Sequence, residues 1–202
     1  MLPSRLLMDH HDYVNLLRPA LLEPGGRWAD LGAGSGAFTL ALRELVGPQA
    51  SLYAVDRDKA RLGELERAWR VRFGDAAGLH LLPADFTRPL DLPALEGVLM
   101  ANSLHFHQDK VSLLRQVGRL LKPGGRLLVV EYNVDAGNIW VPYPCSFERF
   151  QLLANEAGFS ASRRLATHPS SFLREFYSAE AFLNTKDTHL PACASTAGTG
   201  AA

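Results

Sequence analysis

Asp30-Leu31-Gly32-Ala33-Gly34-Ser35-Gly36-Ala37-Phe38 decides how this chain is read. Arg27 to Leu31 is a short apolar run of strand length. Phe38, Ala41, Leu42 and Leu45 then recur at helical spacing until Gly47-Pro48 stops them. The alternating glycines at 32, 34 and 36 therefore join a strand to a helix. Glycine there admits positive φ and lets the backbone approach a ligand closely, and a helix N-terminus favours a carboxylate or phosphate.

Outward from this turn, strand-like and helix-like segments alternate. Leu52 to Val55 predicts a second strand ending at Asp56, and Leu62, Leu65 and Trp69 mark the inner face of a helix. Leu79 to Ala84 and Gly97 to Ala101 predict the third and fourth strands. Asp109 reads as the N-cap of a helix carrying Leu114, Val117 and Leu121, which Pro123-Gly124-Gly125 turns into a fifth strand, Arg126 to Tyr132. A helix over Phe147 to Ala157 stops at Gly158, and Ala161 to Thr167 and Phe172 to Tyr177 read as two last strands with no helix between them. The fold class expected is α/β: a doubly wound, mostly parallel seven-stranded sheet, helices on both faces, and an antiparallel strand pair at the C-terminal edge. Three segments follow: an N-terminal helical segment (1–26), the main domain (27–184) and a disordered tail (185–202) rich in Thr, Ala, Gly and Ser.

Composition narrows the function. Of 202 residues, 47% are hydrophobic and 21% charged, which is ordinary for a globular chain and excludes a wholly disordered one. Lys plus Arg equals Asp plus Glu at 21 each, so no net charge steers the protein toward nucleic acid or an anionic membrane. The two cysteines, Cys145 and Cys193, have no metal-type spacing, so neither a metal site nor a disulfide framework is expected. No apolar run approaches the roughly 20 residues of a spanning helix, nor the core of a signal peptide. The chain reads as soluble and cytoplasmic.

The residues around the glycine turn suggest a nucleoside ligand. Asp56, at the end of the second strand, is placed to accept hydrogen bonds from ribose hydroxyls. Gly32, Gly34 and Ala37 also fit the dinucleotide spacing G-x-G-x-x-A, so Asp56 by itself does not choose between cofactors. Asp30, two positions before the first glycine, suits a ligand carrying a cationic amino group or sulfonium. Asp85 and Phe86 close the third strand, where a carboxylate can accept from an exocyclic amine and a ring can flank adenine.

These segments in order resemble the class I S-adenosylmethionine-dependent methyltransferases, over about Trp28 to Leu183. Asp30 to Gly36 resembles that family's first motif, Val55-Asp56-Arg57 its ribose-binding strand end, and Ala84-Asp85-Phe86 its adenine-binding segment. Ala101-Asn102-Ser103-Leu104-His105 resembles the stretch bordering the methionine part and the acceptor, and Leu121 to Arg126 the turn into strand five. The resemblance implies a Rossmann-like methyltransferase fold with S-adenosyl-L-methionine as cofactor. It implies that Asp30, Gly32, Ala33, Gly34, Ser35, Gly36, Asp56, Arg57, Asp85, Phe86, Asn102 and Ser103 bind that cofactor. Two departures matter. Gly97, with Glu96 beside it, stands where the family often has an acid. No Asn-Pro-Pro-Tyr or Asp-Pro-Pro-Tyr box follows strand four, which argues against methylation of nucleic acid bases.

The resemblance makes a small-molecule acceptor the expected partner, with the methyl group moving by in-line displacement. His105, after strand four, is the candidate catalytic base, because an imidazole can take up a proton near neutrality. His10, His11 and Tyr13 are lesser candidates from the N-terminal segment, and Tyr132 a candidate wall on the acceptor side. Only the 14 residues Asn133 to Ser146 separate strand five from the next helix, too few for a separate substrate domain. Trp140, Pro142, Tyr143 and Pro144 give that loop an aromatic character suited to a small apolar or aromatic acceptor. Two alternatives stay open on the sequence: a nicotinamide-dependent oxidoreductase, and a non-catalytic cofactor-binding subunit.

Overall fold

The computed structural model describes residues 8–185. Its strands are β1 (Arg27–Leu31), β2 (Ser51–Asp56), β3 (Leu79–Pro83), β4 (Leu95–Ala101), β5 (Leu121–Tyr132), β6 (Phe159–Pro169) and β7 (Glu175–Leu183). Its α-helices are α1 (His10–Leu17), α2 (Ala37–Val46), α3 (Lys59–Phe73), α4 (Lys110–Leu120) and α5 (Phe147–Glu156). The strands form one sheet in the order β3-β2-β1-β4-β5-β7-β6. The first five are parallel, whereas β7 runs antiparallel to both β5 and β6. The order reverses at β1, where β2 leaves on one side and β4 on the other, and ligands of open α/β sheets bind outside the carboxyl ends of the strands at such a switch point.

Side-chain alternation sorts the central strands between two cores. Leu128 and Val130 of β5 join Leu17, Leu42, Leu65 and Trp69 on the α1–α3 face, while Leu127 and Val129 join Leu114, Val117 and Phe150 on the α4–α5 face. Each such side chain contributes about 1.5–3 kcal/mol by leaving water. Gly97 has a packing reason: a Cβ there would lie 2.1 Å from the Trp28 ring. Its neighbour Glu96 accepts the Arg27 N–H at 2.6 Å and pairs with Lys122, tying β4 to the start of β1.

The element boundaries depart most from the sequence expectation in three places. Leu121 does not extend α4; it pairs with Leu95 as the start of β5, and the ladder resumes at Gly97–Arg126 after an irregularity. β6 extends past Ala161–Thr167 at both ends. The last strand is not Phe172–Tyr177 but Glu175–Leu183. Ser178, Ala179 and Ala181 carry little strand propensity, but β7 lies inside the sheet and pairs on both edges, and that pairing outweighs local preference. Residues 186–202, which include most of the expected tail and Cys193, lie outside the described residues, as do residues 1–7. No helix among the described residues is long and apolar enough to cross a membrane.

Candidate active site

Four of the five described α-helices have a side-chain N-cap: Asp9 on α1, Asp58 on α3, Asp109 on α4 and Ser146 on α5. The fifth, α2, begins at Gly36 with no side-chain cap, so its first N–H groups are left for other partners. Gly32, Gly34 and Gly36 all have positive φ (86°, 53° and 91°), so the turn before α2 calls for glycine at each of these three positions. The turn is also packed. A Cβ on Gly32 would meet Ser103 Cβ at 2.6 Å, and one on Gly36 would meet Leu65 Cδ1 at 2.1 Å. Val55 O accepts from the N–H groups of Gly32 and Ala33, and Asp56 Oδ2 accepts from Gly34 N–H at 2.8 Å. Asp56 Oδ1 takes the Asp58 N–H at 2.9 Å, so this carboxylate braces the turn as well as facing the cleft.

Two adjoining cavities open on the turn. One, of about 580 Å³, is lined by Gly32, Gly34, Asp56, Arg57, Asp85 and Phe86, together with Asn102 and Ser103 from beyond β4. The other, of about 190 Å³, is lined by Asp30, the run from Gly32 to Phe38, and Asn102. Every residue expected from the sequence to bind the cofactor lines one cavity or the other.

The polar atoms here are only partly satisfied. Asp30 is buried; its Oδ2 accepts from Thr39 Oγ1 at 2.6 Å, while Oδ1 has no partner among the described residues. Burial pushes the Asp30 carboxyl up to about 7, against the opposing pull of Thr39, and the Asp56 charge adds to the rise. Asn102 Oδ1 and Ser103 Oγ are also buried without described partners. Asn102 holds φ 52°, a left-handed conformation that asparagine tolerates better than most residues. Asp85 sits below the usual carboxylate range because Thr87 donates to its Oδ1 from both side chain and backbone.

The acceptor-side residues fall differently. His105 lies in a 3₁₀ turn, Leu104–Phe106, just after β4, and lines neither cavity; it is only 3% exposed. Its Nδ1 is 2.7 Å from Glu131 Oε2, and Glu131 Oε1 accepts from the backbone N–H groups of Leu104 (2.8 Å) and His105 (3.1 Å). Aromatic rings surround the imidazole: Phe106 at 4.2 Å between centroids and Tyr132 at 6.0 Å, with Tyr132 in turn against Phe176 (4.3 Å) and Phe172 (6.1 Å). The aromatic loop closes on the same turn. Tyr143 N–H donates to His105 O, and buried Lys110 Nζ donates at 2.7 Å to both His107 O and Tyr143 O. Burial holds the Lys110 ammonium below its ordinary range. Trp140 is 71% exposed on the outer side of the loop.

His10 is drawn elsewhere: its Nε2 is 2.9 Å from Glu44, in the second half of α2 and away from the glycine turn. His11 is exposed, and Tyr13 packs edge-to-face on Phe38 at 4.8 Å. Sequence reasoning missed Asp58, Arg61 and Phe106, which line the larger cavity, and it missed Glu131; His107, which the sequence places second to His105 beyond strand four, lines that cavity too. Arg61 lies in the first turn of α3, close behind the strand end at Asp56, a position that would have placed it there. Glu131 follows the apolar run Leu127–Val130 of β5, and a carboxylate in a central strand needs a partner.

Residues 29–127 match the methyltransferase-domain family. A ubiquinone/menaquinone biosynthesis C-methyltransferase of Ectopseudomonas mendocina is 31% identical over 143 residues, which are 67% of this chain and 56% of that protein. An arsenite methyltransferase of Aquipseudomonas alcaligenes is 33% identical over 129 residues, 59% of this chain and 36% of that protein. The crystal structure of an S-adenosylmethionine-dependent methyltransferase from Aquifex aeolicus shares the fold, with a TM-score of 0.66 at 20% identity over 90% of this chain and 93% of that one. The chain belongs to the class I S-adenosylmethionine-dependent methyltransferase family. It spans about half the length of the curated C-methyltransferases it matches. S-adenosylmethionine is the cofactor that membership brings, and the residues present fit it. The two cavities together offer a carboxylate for ribose hydroxyls, an acid and a ring for adenine, and a buried carboxylate oxygen without a partner for an ammonium group.

Proposed function

We propose that this chain transfers a methyl group from S-adenosylmethionine to a small, hydroxyl-bearing aromatic acceptor. The observation that supports the reading best is the set of buried, unpartnered polar atoms, Asp30 Oδ1, Asn102 Oδ1 and Ser103 Oγ, gathered around the glycine turn. A buried polar atom without a partner costs about 1–3 kcal/mol, and a ligand with matching donors and acceptors removes that cost. Asp56 faces the ribose and Asp85 with Phe86 the adenine. Arg57, Ala33 and Ser35 complete the wall.

When bound, the cofactor supplies an electrophilic methyl on a sulfonium leaving group. The chain's part is alignment, exclusion of water and proton removal. His105 Nε2 takes the acceptor's hydroxyl proton, while Tyr132, Phe172, Phe176 and Phe106 give the acceptor ring an apolar wall. Deprotonating a ring hydroxyl serves transfer to that oxygen and also to an adjacent ring carbon, whose hydrogen then leaves to water as a proton, as the C-methyltransferase relatives make reasonable. Arsenite is the less suitable acceptor. The one cysteine among the described residues, Cys145, is buried, and burial pushes its thiol up to about 12, so it offers no thiolate to a soft metalloid. The same free thiol suits a reducing compartment, and we place the reaction in the cytoplasm.

The test has two arms. S-adenosylhomocysteine should raise the melting temperature while NAD and NADP leave it unchanged. Incubation with S-[methyl-³H]adenosylmethionine and a panel of phenols, catechols and hydroquinones should then give labelled product. Stabilisation by the nicotinamide cofactors alone would overturn the proposal. Binding of S-adenosylhomocysteine with no transfer to any acceptor class would leave a cofactor-binding subunit instead.

A further inference from the structure

Glu131 is fully buried in the last turns of the β5 ladder, on the same strand face as Leu127 and Val129. A carboxylate in such a place is costly unless every oxygen is engaged, and here both are. Oε1 holds two backbone N–H groups of the 3₁₀ turn, which is a structural task. Oε2 is spent on the His105 ring at 2.7 Å, a contact the turn itself does not require. An ionised carboxylate only accepts hydrogen bonds, so this contact demands a proton on His105 Nδ1. In the neutral ring the other nitrogen, Nε2, then carries a lone pair, and no described residue hydrogen-bonds it.

We infer that Glu131 is a positioning residue that fixes His105 in the Nδ1–H tautomer and so leaves Nε2 as the proton acceptor for a neutral hydroxyl on the methyl acceptor. This rests on the proposed reading of His105 as base. The proton balance is closed. The acceptor O–H bond breaks and its electron pair stays on the acceptor. The proton forms an N–H bond with the Nε2 lone pair, giving an imidazolium that the Glu131 carboxylate faces across Nδ1–H, and it later passes to water. The acceptor's pair then forms the bond to the methyl carbon as the C–S pair departs with sulfur. A ring locked the other way, with a proton already on Nε2, can donate to the acceptor but cannot take its proton. The wrong-tautomer penalty is known to be large where a histidine base loses its orienting carboxylate.

Glu131→Gln separates the two tasks of this side chain. The glutamine carbonyl can still accept both backbone N–H groups, so the turn keeps its anchor. Its amide NH₂ now faces Nδ1 as a donor, which forces the proton onto Nε2. The primary measurement is ¹⁵N NMR of the histidine rings in the protein without cofactor, with His105 assigned by its loss in His105→Ala. The parent should show Nδ1 protonated and Nε2 bare, and Glu131→Gln should show the reverse. A parent with Nε2 protonated overturns the inference whatever the acceptor, and does not depend on Glu131→Gln folding. An unchanged tautomer in a folded Glu131→Gln protein overturns it too.

On any acceptor found by the labelled-methyl screen, Glu131→Gln should lower kcat by about 10²–10⁴-fold. KM and S-adenosylhomocysteine affinity should stay near parental. Added to His105→Ala, the same change should cost nothing more, because a positioning residue has nothing left to position. A flipped tautomer with parental kcat would sink the inference. Parental turnover in His105→Ala would show instead that the base reading beneath it is the part that failed. Should the screen yield no acceptor, the two tautomer measurements decide the inference alone.

Discussion

The cofactor end and the acceptor end of this site meet at the carboxyl edge of the same sheet, yet they are built in opposite ways. At the cofactor end the backbone makes the shape. Three glycines with positive φ, an uncapped helix and a brace from Asp56 create a cradle in which nearly every contact lies within a few residues of a strand end. At the acceptor end side chains make the shape. His105 and Glu131 come from different elements 26 residues apart, and the surrounding rings come from the 3₁₀ turn, β5, β7 and the connection before β7. A local cradle writes itself into a short stretch of sequence. A wall assembled across the sheet is not written in any one stretch.

The sharpest break of that comparison is Gly32→Val. The new Cβ would fall 2.6 Å from Ser103 Cβ, and φ of 86° is hostile to a β-branched residue. Backbone strain of roughly 1–3 kcal/mol adds to the clash. The expected outcome is complete loss of the melting-temperature rise given by S-adenosylhomocysteine, together with a lower melting temperature for the free protein. A Gly32→Val protein that is still stabilised by the ligand would show that the cradle is not where the cofactor sits.

Next in size is His105→Ala, which removes function at the other end only. Turnover should fall about 10²–10⁴-fold, the usual contribution of a positioned base. Affinity for S-adenosylhomocysteine, measured calorimetrically, should hardly change, because His105 lines neither cavity at the glycine turn. A marked loss of cofactor affinity would erase the distinction between the two ends.

The same contrast explains what the sequence revealed. The order of strands and helices was legible because each buried strand is a near-continuous apolar run and each capped helix announces its start; Asp109, for example, caps α4 as its position suggests. The residues that line the two cavities were legible because Asp30, Asp56 and Asp85 each lie at or just beyond the carboxyl end of a recognisable strand. Glu131 was hidden because its partner lies across the β4–β5 pair, and nothing local in Val130-Glu131-Tyr132 points to a histidine in the turn beyond β4. The true span of β7 was hidden for a related reason: Ser178-Ala179-Glu180-Ala181 becomes a strand only because β5 and β6 pair with both its edges. Local chemistry is readable from a sequence, whereas partnership over long separations requires the fold.

Asp56→Ala tests whether the cradle's brace and its ligand contact can be separated. Removing the acceptor of ribose hydroxyls should cost about 1.5–3 kcal/mol, or roughly a ten- to hundredfold loss of cofactor affinity. Because Asp56 also holds the N–H groups of Gly34 and Asp58, the free protein should lose about 2–4 °C in melting temperature as well. Asp56→Ala with parental affinity would place the ribose elsewhere. Lost affinity without any loss of stability would mean that the brace contributes nothing.

The smallest effect is a pH dependence carried by Asp30. Burial holds this carboxyl at about 7, against an ordinary value of 3.8, so between pH 4 and 7 the native state keeps a proton that the unfolded chain has already lost. Protein stability from this group is therefore greatest at the acidic end, declines as pH rises through that window and levels off above 7. Affinity for a ligand with a cationic amino group must run the other way, because only the ionised form of Asp30 attracts it. From pH 6 to pH 8 the ionised fraction rises from about one tenth to nine tenths, so affinity for S-adenosylhomocysteine should increase by up to about tenfold. Asp30→Asn should flatten both trends, giving a free protein whose stability varies less between pH 4 and 7 and whose weaker ligand affinity no longer climbs between 6 and 8. Thr39, which donates to Asp30 Oδ2, keeps a partner in the asparagine carbonyl, so the local fold has no reason to open. Calorimetric titrations at pH 6, 7 and 8 on both proteins measure the difference directly. An equal climb in the two would assign the titration to another group and leave the unpartnered Oδ1 without a ligand to meet.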